Sequence, residues 1–353
     1  MTKHIIVIFT LFISLNGYSQ DPNFSQFYNV PVYYNPAMNA INNGVTINSH
    51  NRLMWTSIPK KLDTYLTSVE IESIGPFNFG ALLISNIEGQ ADLRTNGGYF
   101  NFSFTPTFLK KNHKMQLGTS IGILSKTINE NKFIFSDQLD EVYGNKYSSS
   151  FNNEITSFNS LDLKFGLAYR WIPKLKKKSS RKSILTGGIS INHFPGGRDA
   201  FTNAFENTPI KKVVHADYQL KINKIFITPS FIYESQNNFK TFTFGFNTKF
   251  LPPSFNNLKW SIGLFYRNRR IIPKLNDFDA VIFTTGYDFR YSQNKKHIRI
   301  NYSYDWTLSK LSNNMSWGSH ELGIQFSFDD LIFLKTSANK KLKQRMHECS
   351  SEL

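Results

Sequence analysis

Between residues 44 and 328 the sequence repeats one pattern: segments of roughly ten residues in which every second side chain is apolar, separated by breaks rich in Gly, Pro, Asn or charge. In residues 99–108, Phe100, Phe102, Phe104, Pro106 and Phe108 share one face, and Tyr99, Asn101, Ser103, Thr105 and Thr107 share the other. Residues 298–306 set Ile298, Ile300, Tyr302, Tyr304 and Trp306 against Arg299, Asn301, Ser303 and Asp305. A period of two is that of a β-strand, whose successive side chains point to opposite sides. Each strand must therefore separate a greasy environment from a wet one.

Segment length identifies the two environments. A tilted strand needs about 9–11 residues to cross a bilayer, whereas soluble strands cluster near five or six. The segments fall at approximately 44–54, 62–72, 77–87, 97–108, 114–126, 160–172, 183–193, 212–222, 225–235, 239–250, 257–268, 279–290, 297–307 and 318–328. That makes about fourteen, and closed bacterial barrels require an even count. The first and eighth alternate least clearly, and Pro106 and Pro229 each withdraw a hydrogen-bond donor from the ladder. Aromatic residues at segment ends, such as Tyr169 and Trp171, suit the girdles at the two membrane interfaces. The composition agrees, because 33 Phe and 16 Tyr beside 20 Gly favour pleated surfaces. The expected fold is all-β, a single transmembrane antiparallel β-barrel over residues 44–328.

Lys3 and His4 precede an apolar run, Ile5 to Leu15, which breaks into Asn16-Gly17-Tyr18-Ser19-Gln20. This is the layout of a cleaved signal peptide over residues 1–19, too short to span a bilayer as a helix. No later segment approaches about eighteen consecutive apolar residues, which excludes a helical membrane protein. An exported chain of this kind is expected in the cell outer membrane, with both termini periplasmic. The longest connections, 127–159 and 194–211, both join an odd segment to an even one, which that orientation places outside the cell.

A formal net charge of +16 and a pI near 9.6 would suggest nucleic acid in a cytosolic protein. Export and the lack of any recognisable nucleic-acid-binding motif argue for no nucleic acid. The basic residues instead gather in the expected periplasmic turns: Lys110, Lys111 and Lys114; Lys174, Lys176, Lys177, Lys178, Arg181 and Lys182; Lys221 and Lys224; Lys295 and Lys296. The tail, residues 329–353, adds Lys340, Lys341, Lys343 and Arg345. Solvated turns that favour lysine account for this pattern. So does an electrostatic docking surface for an acidic periplasmic partner or passing cargo.

The eight histidines are scattered without metal-ligand spacing, and the sequence has neither a G-x-S-x-G elbow nor a P-loop. No metal, no cofactor and no enzymatic reaction are expected. The single cysteine, Cys349, cannot form an internal disulfide.

Four motifs bracket the expected barrel. Asp21-Pro22-Asn23-Phe24-Ser25-Gln26-Phe27-Tyr28 and Tyr34-Asn35-Pro36-Ala37-Met38-Asn39-Ala40 precede it, and Tyr302-Ser303-Tyr304-Asp305 and Gly318-Ser319-His320-Glu321 lie near its end. In these motifs, which span essentially the whole mature chain, the sequence resembles the PorP/SprF family of the Bacteroidetes type IX secretion system. The family often closes on a Cys-Pro pair, where this chain has Cys349-Ser350. The resemblance implies a non-enzymatic component supporting export or surface attachment of a large cargo protein with a C-terminal sorting domain, such as a gliding adhesin. It also implies other type IX secretion components as partners, beside outer-membrane lipid. The N-P-A element is similar to the hatch region of fatty-acid-transporter barrels too, so the alternative is a porin or hydrophobic-solute transporter.

Pro22, Pro31 and Pro36 keep residues 20–43 from forming a regular membrane strand. This segment is expected to fold inward as a plug or to lie outside as a periplasmic strap. Arg299, Asp305 and Glu321 alternate with apolar residues and so should face the lumen, with Ser319 and His320 at the lumen or its rim. They either line a wet interior or contact the plug or a partner.

Overall fold

The computed structural model describes residues 21–41, 44–58, 62–73, 75–89, 92–106, 112–129, 136–140, 144–145, 157–173, 181–196, 208–251, 257–270, 278–291, 296–309 and 311–328. The expected signal peptide, the tail 329–353, and Lys110, Lys111, Lys174, Lys176, Lys177, Lys178 and Lys295 lie outside these residues.

Fourteen antiparallel strands close into one barrel. They are β1 (Val45–Met54), β2 (Leu62–Glu72), β3 (Phe77–Glu88), β4 (Leu93–Phe104), β5 (His113–Thr127), β6 (Ser157–Trp171), β7 (Arg181–Phe194), β8 (Lys211–Ile222), β9 (Ile225–Gln236), β10 (Phe239–Phe250), β11 (Leu258–Asn268), β12 (Phe278–Tyr291), β13 (Lys296–Thr307) and β14 (Ser319–Phe328). Neighbours in sequence are neighbours in the sheet, and closure is made by β1 on β14, from Val45↔Phe328 to Met54↔Ser319. All odd-to-even connections emerge at one end, among them the two longest. A two-residue pairing, Leu139–Asp140 with Gly144–Asn145, lies in the connection between β5 and β6.

Alternation decides the two surfaces. On β3, Asn78, Gly80, Leu82, Ile84 and Asn86 are buried while Phe77, Phe79, Ala81 and Leu83 face out. The outward positions are apolar and open: Leu83 is 63% exposed, Leu161 62% and Ile123 60%. An apolar surface that continues around a whole molecule has lipid as its natural solvent. Aromatic pairs mark its edges, with Trp260 stacked on Tyr287 near one end and Tyr302 bonded to His320 towards the other. Among the described residues no helix is long and apolar enough to cross a membrane.

The two weakest segments are both strands. β1 alternates weakly because Thr46, Asn48, His50 and Arg52 face a polar interior, and β8 because Lys212 takes an outward position while Val213 is buried inside. The fourth strand departs from its expected span, starting at Leu93 and ending at Phe104. Pro106 has no N–H with which to extend the ladder, so the strand stops before it. Pro229 is accommodated inside β9. It faces Phe246 of β10, but the pairing with β8 lapses between Asp217↔Ser230 and Leu220↔Ile227, where its donor is missing.

Five of the basic residues placed in turns by the sequence belong to strand ends: Lys114 of β5, Arg181 and Lys182 of β7, Lys221 of β8 and Lys296 of β13. The ladder continues past the apolar band, so strand ends reach polar surroundings and tolerate charge. Lys224 does sit in a turn, the two-residue link between β8 and β9.

Candidate functional site

Residues 21–41 run along the inside of this wall. Their contacts reach β2, β5, β6, β7, β9, β10, β13 and β14, on opposite sides of the barrel. Prolines shape the path. Pro31 opens a single helical turn, Pro31–Tyr34, and Pro36 opens a 3-10 turn, Pro36–Met38, each where its fixed φ suits a first helical position. Short turns leave backbone groups without internal partners, and the inward-facing strand residues supply many of them.

The first anchor is ionic. Asp305 of β13 and Glu321 of β14 lie beside Arg52 of β1, which meets Asp305 at 2.7 Å and Glu321 at 3.2 Å. Arg267 of β11 completes the group at 2.9 Å from Asp305 and also binds Asp279 at 2.6 Å. Into this cluster the Ser25 amide donates to Glu321 Oε2 (2.7 Å) and the Ser25 hydroxyl to Asp305 Oδ2 (2.7 Å), while Arg52 also donates to the Ser25 hydroxyl. The Gln26 side chain donates to the Glu321 carbonyl (3.1 Å) and Ser303 (3.3 Å). Arg52, Asp305, Glu321, Ser25 and Gln26 are all at least 99% buried. A buried carboxylate needs a cation and donors together, and here the Ser25 amide and the Gln26 amide, which donates to Glu321 Oε1 (3.2 Å), come from the inner segment.

Asp21 and Asn23 tie down the start of the segment. Asp21 lies 2.7 Å from His193 and 3.7 Å from Lys211, and Asn23 donates to Glu234 (2.9 Å). Burial would push the Asp21 carboxyl up, but His193 and Lys211 outweigh it and hold the group well below the usual carboxylate range. His193 points inward directly after inward-facing Asn192, where alternation calls for an outward side chain, and Phe194 then faces out. Its φ of 61° and a register irregularity between β6 and β7 turn the side chain round.

The second anchor is steric and neutral. The Asn35 side chain donates to the carbonyls of Leu167 (3.1 Å) and Ile189 (3.3 Å), and its Oδ1 accepts from the Ala37 amide (2.9 Å). The Tyr34 carbonyl accepts from Ser190 (2.6 Å) and Asn192 (3.2 Å), and the Ile41 carbonyl accepts from Arg170 (2.8 Å). Gly118 on β5 and Gly166 on β6 face this stretch, and a Cβ on either would overlap it: on Gly118 the Ala37 and Pro36 backbone, on Gly166 the Asn35 side chain. The N-P-A element fits because the wall is thinned there to bare backbone.

Between the anchors lies an aromatic layer. Phe24 and Tyr33 meet edge to face at 5.3 Å, and Tyr28 stacks on Phe265 of β11 at 5.3 Å. Phe27 packs edge-on against the same ring. The Tyr34 hydroxyl accepts from the Phe24 amide (2.8 Å), which joins the two halves of the segment.

The structure thus gathers Asp305 and Glu321 with Ser25 and Gln26, and Asn35, Pro36 and Ala37 with the glycine recess. Ser319 is buried opposite Asp305 in the ladder. Arg299 is elsewhere, bonded to Gln325 (2.8 Å) and Asp288 (3.2 Å). His320 points outward, its Nδ1 at 2.7 Å from the Tyr302 hydroxyl and its ring against Tyr304. Arg181 and Lys182 open β7, across from Ile222 and Lys221. Sequence reading missed Arg52, Arg267, His193 and Lys211. The one available signal was the even spacing of Asn48, His50 and Arg52, which places a cation on the wet face of β1.

Residues 16–326 match the sequence profile of the family described as Type IX secretion system membrane protein PorP/SprF. The chain belongs to that family. Membership makes this PorP/SprF barrel a membrane component of type IX secretion. No curated protein matches the sequence. Among solved structures, it is similar to CdiB from Acinetobacter baumannii at 6% identity and a TM-score of 0.43, covering 81% of this chain and 60% of CdiB. It is similar at the same TM-score to the monoaromatic hydrocarbon channel CymD, at 9% identity over 85% of this chain and 92% of that one. A Pseudomonas aeruginosa FadL homologue gives 0.43 at 10% identity, over 81% and 89%.

Proposed function

We propose that this PorP/SprF barrel is a non-enzymatic outer-membrane component of type IX secretion, supporting export or surface attachment of a large cargo protein such as a gliding adhesin. The observation that supports this reading is the double anchoring of residues 21–41 across the lumen. A barrel crossed by a buried, hydrogen-bonded segment suits a platform for a secreted partner better than an open diffusion pore. On this reading residues 20–43 act as a plug and both termini face the periplasm. The basic residues Lys174, Lys176, Lys177, Lys178, Arg181 and Lys182 then lie on the periplasmic side, where they dock an acidic component of the machinery or the cargo.

The test is deletion of the gene followed by comparison of surface and periplasmic proteomes. Loss from the surface of a large protein carrying a C-terminal sorting domain, restored by the wild-type gene, is the expected result. An unchanged surface proteome together with impaired uptake of a small solute would replace this reading with the transporter. In planar bilayers the full chain is expected to be silent and a variant lacking residues 21–40 to leak ions.

A further inference from the structure

The outward surface changes character at the end of the barrel where β1 finishes and β14 begins. Towards that end most strands turn polar on the outside. Ser85, Asn96, Ser125 and Asn159 form a row of cross-strand partners over β3 to β6, and Lys212, Ser235 and Lys240 do so over β8 to β10. The connection between β13 and β14 does the reverse. Beyond Tyr302 and His320, the bonded pair at the edge of the apolar band, Trp306 is 47% exposed, Leu308 44%, Met315 69% and Trp317 63%.

Hydrogen bonds hold this apolar group in place. The connection contains one helical turn, Asn313–Ser316. Asn313 Oδ1 accepts from the Tyr304 hydroxyl (3.0 Å) and the Thr307 amide (3.3 Å), and the Ser316 hydroxyl donates to the Ser312 carbonyl (2.8 Å). From the connection between β1 and β2, the Trp55 amide donates to the Gly318 carbonyl (2.8 Å) and the Ser57 hydroxyl to the Met315 carbonyl. Trp317 has a φ of 53°, in the left-handed region that a bulky residue adopts only where its surroundings impose it. A segment fixed in this way presents apolar side chains with little left to order on binding.

Lipid is a poor cover for the patch, because the polar rows on the other strands end the hydrocarbon layer short of it. A neighbouring membrane protein is no better. Close packing within lipid relies on small residues, whereas the outward positions below the patch are large, Ile298, Ile300, Leu322 and Phe326 among them. Four half-exposed side chains offer on the order of 400 Å². That is about half of the ~800 Å² each partner gives to a standard stable interface, too little for a second copy of the chain but enough for two or three apolar anchors of one polypeptide segment.

We propose that this patch docks an apolar segment of the secreted protein that the barrel supports at the cell surface, with Trp306 and Trp317 as its anchors. The inference rests on the proposed role in secretion, whose orientation puts this end outside the cell, and it adds the place of contact.

The experiment uses the full chain in its own cells. A photo-crosslinking benzophenone side chain is placed at Met315, and the expected crosslinked partner, identified by mass, is the surface protein lost on gene deletion. Met315→Ser combined with Trp317→Ser should leave about tenfold less of that protein on the surface, the scale of losing a tryptophan anchor. Tyr291→Ser, at an exposed aromatic that ends β12 on the opposite side, should retain it as the wild type does. Heat-modifiable migration on gels checks that each variant is folded. Crosslinking to lipid alone, to a second copy of the chain or to nothing would overturn the inference. Undiminished display by the folded double variant, where gene deletion does abolish display, would also overturn it and leave the secretion reading standing. If gene deletion loses no surface protein, the secretion reading fails and the docking site fails with it.

Discussion

The two anchors of the inner segment hold it by opposite means. At Ser25 and Gln26 the wall offers charge, with Arg52, Asp305 and Glu321 sealed from solvent and Glu321 accepting from both backbone amides. At Asn35 to Ala37 it offers shape, with glycines that admit the chain and strand carbonyls that accept its side-chain amide. The first depends on several long side chains being present together, since each buried charge is tolerable only with its partners. The second depends on the lack of side chains. The ionic anchor should therefore fail by subtraction and the steric one by addition.

Arg52→Ala tests the ionic side and should have the largest effect. It leaves Asp305 and Glu321 short of a cation, a loss of about 3–5 kcal/mol for breaking a buried pair. The urea midpoint of the protein folded in lipid vesicles is expected to fall, and protease is expected to cut near Ser25. An unchanged midpoint would show that the cluster is dispensable. Gly118→Val tests the steric side. Overpacking against the Ala37 backbone should cost about 1–3 kcal/mol and expose residues 35–41 to protease while Ser25 stays protected. Release of both halves at once would merge the two anchors into one cooperative unit.

Asn35→Ala should cost about 1 kcal/mol, the net worth of its hydrogen bonds. Combined with Arg52→Ala, its effect should add if the anchors act independently. Acidification is expected to do least. Because the folded Asp21 carboxyl is held below its unfolded range, its contribution is fully present above the ordinary carboxylate pKa and is lost only as pH falls through the lowered folded value. Protection of residues 21–24 from protease should persist from pH 7 to pH 5, and loss within that window would show that the His193 contact does not hold the segment.

Much of the barrel was legible because each strand writes its environment into alternate positions. Phe242, Phe244 and Phe246 could only face lipid once Thr241, Thr243 and Asn247 faced water. What fills the lumen was far less legible. Three prolines exclude residues 21–41 from a strand without saying which side of the wall they take. Asp305 and Glu321 could be assigned to the lumen, but Arg52 lies 253 and 269 positions away from them, and only closure of the sheet makes them neighbours. Gly118 and Gly166 carried no periodic signal, because their role is to leave room. His193 defied the alternation outright, since one left-handed residue reverses the face.

Arg52, Asp305 and Glu321 lie on β1, β13 and β14, on either side of the junction where the sheet meets itself. The pocket for Ser25 does not exist until the last strand arrives, yet by then the interior is walled off. Seating of the leading residues is therefore coupled to closure of the cylinder: until β14 meets β1, Ser25 and Gln26 have no complete pocket to occupy.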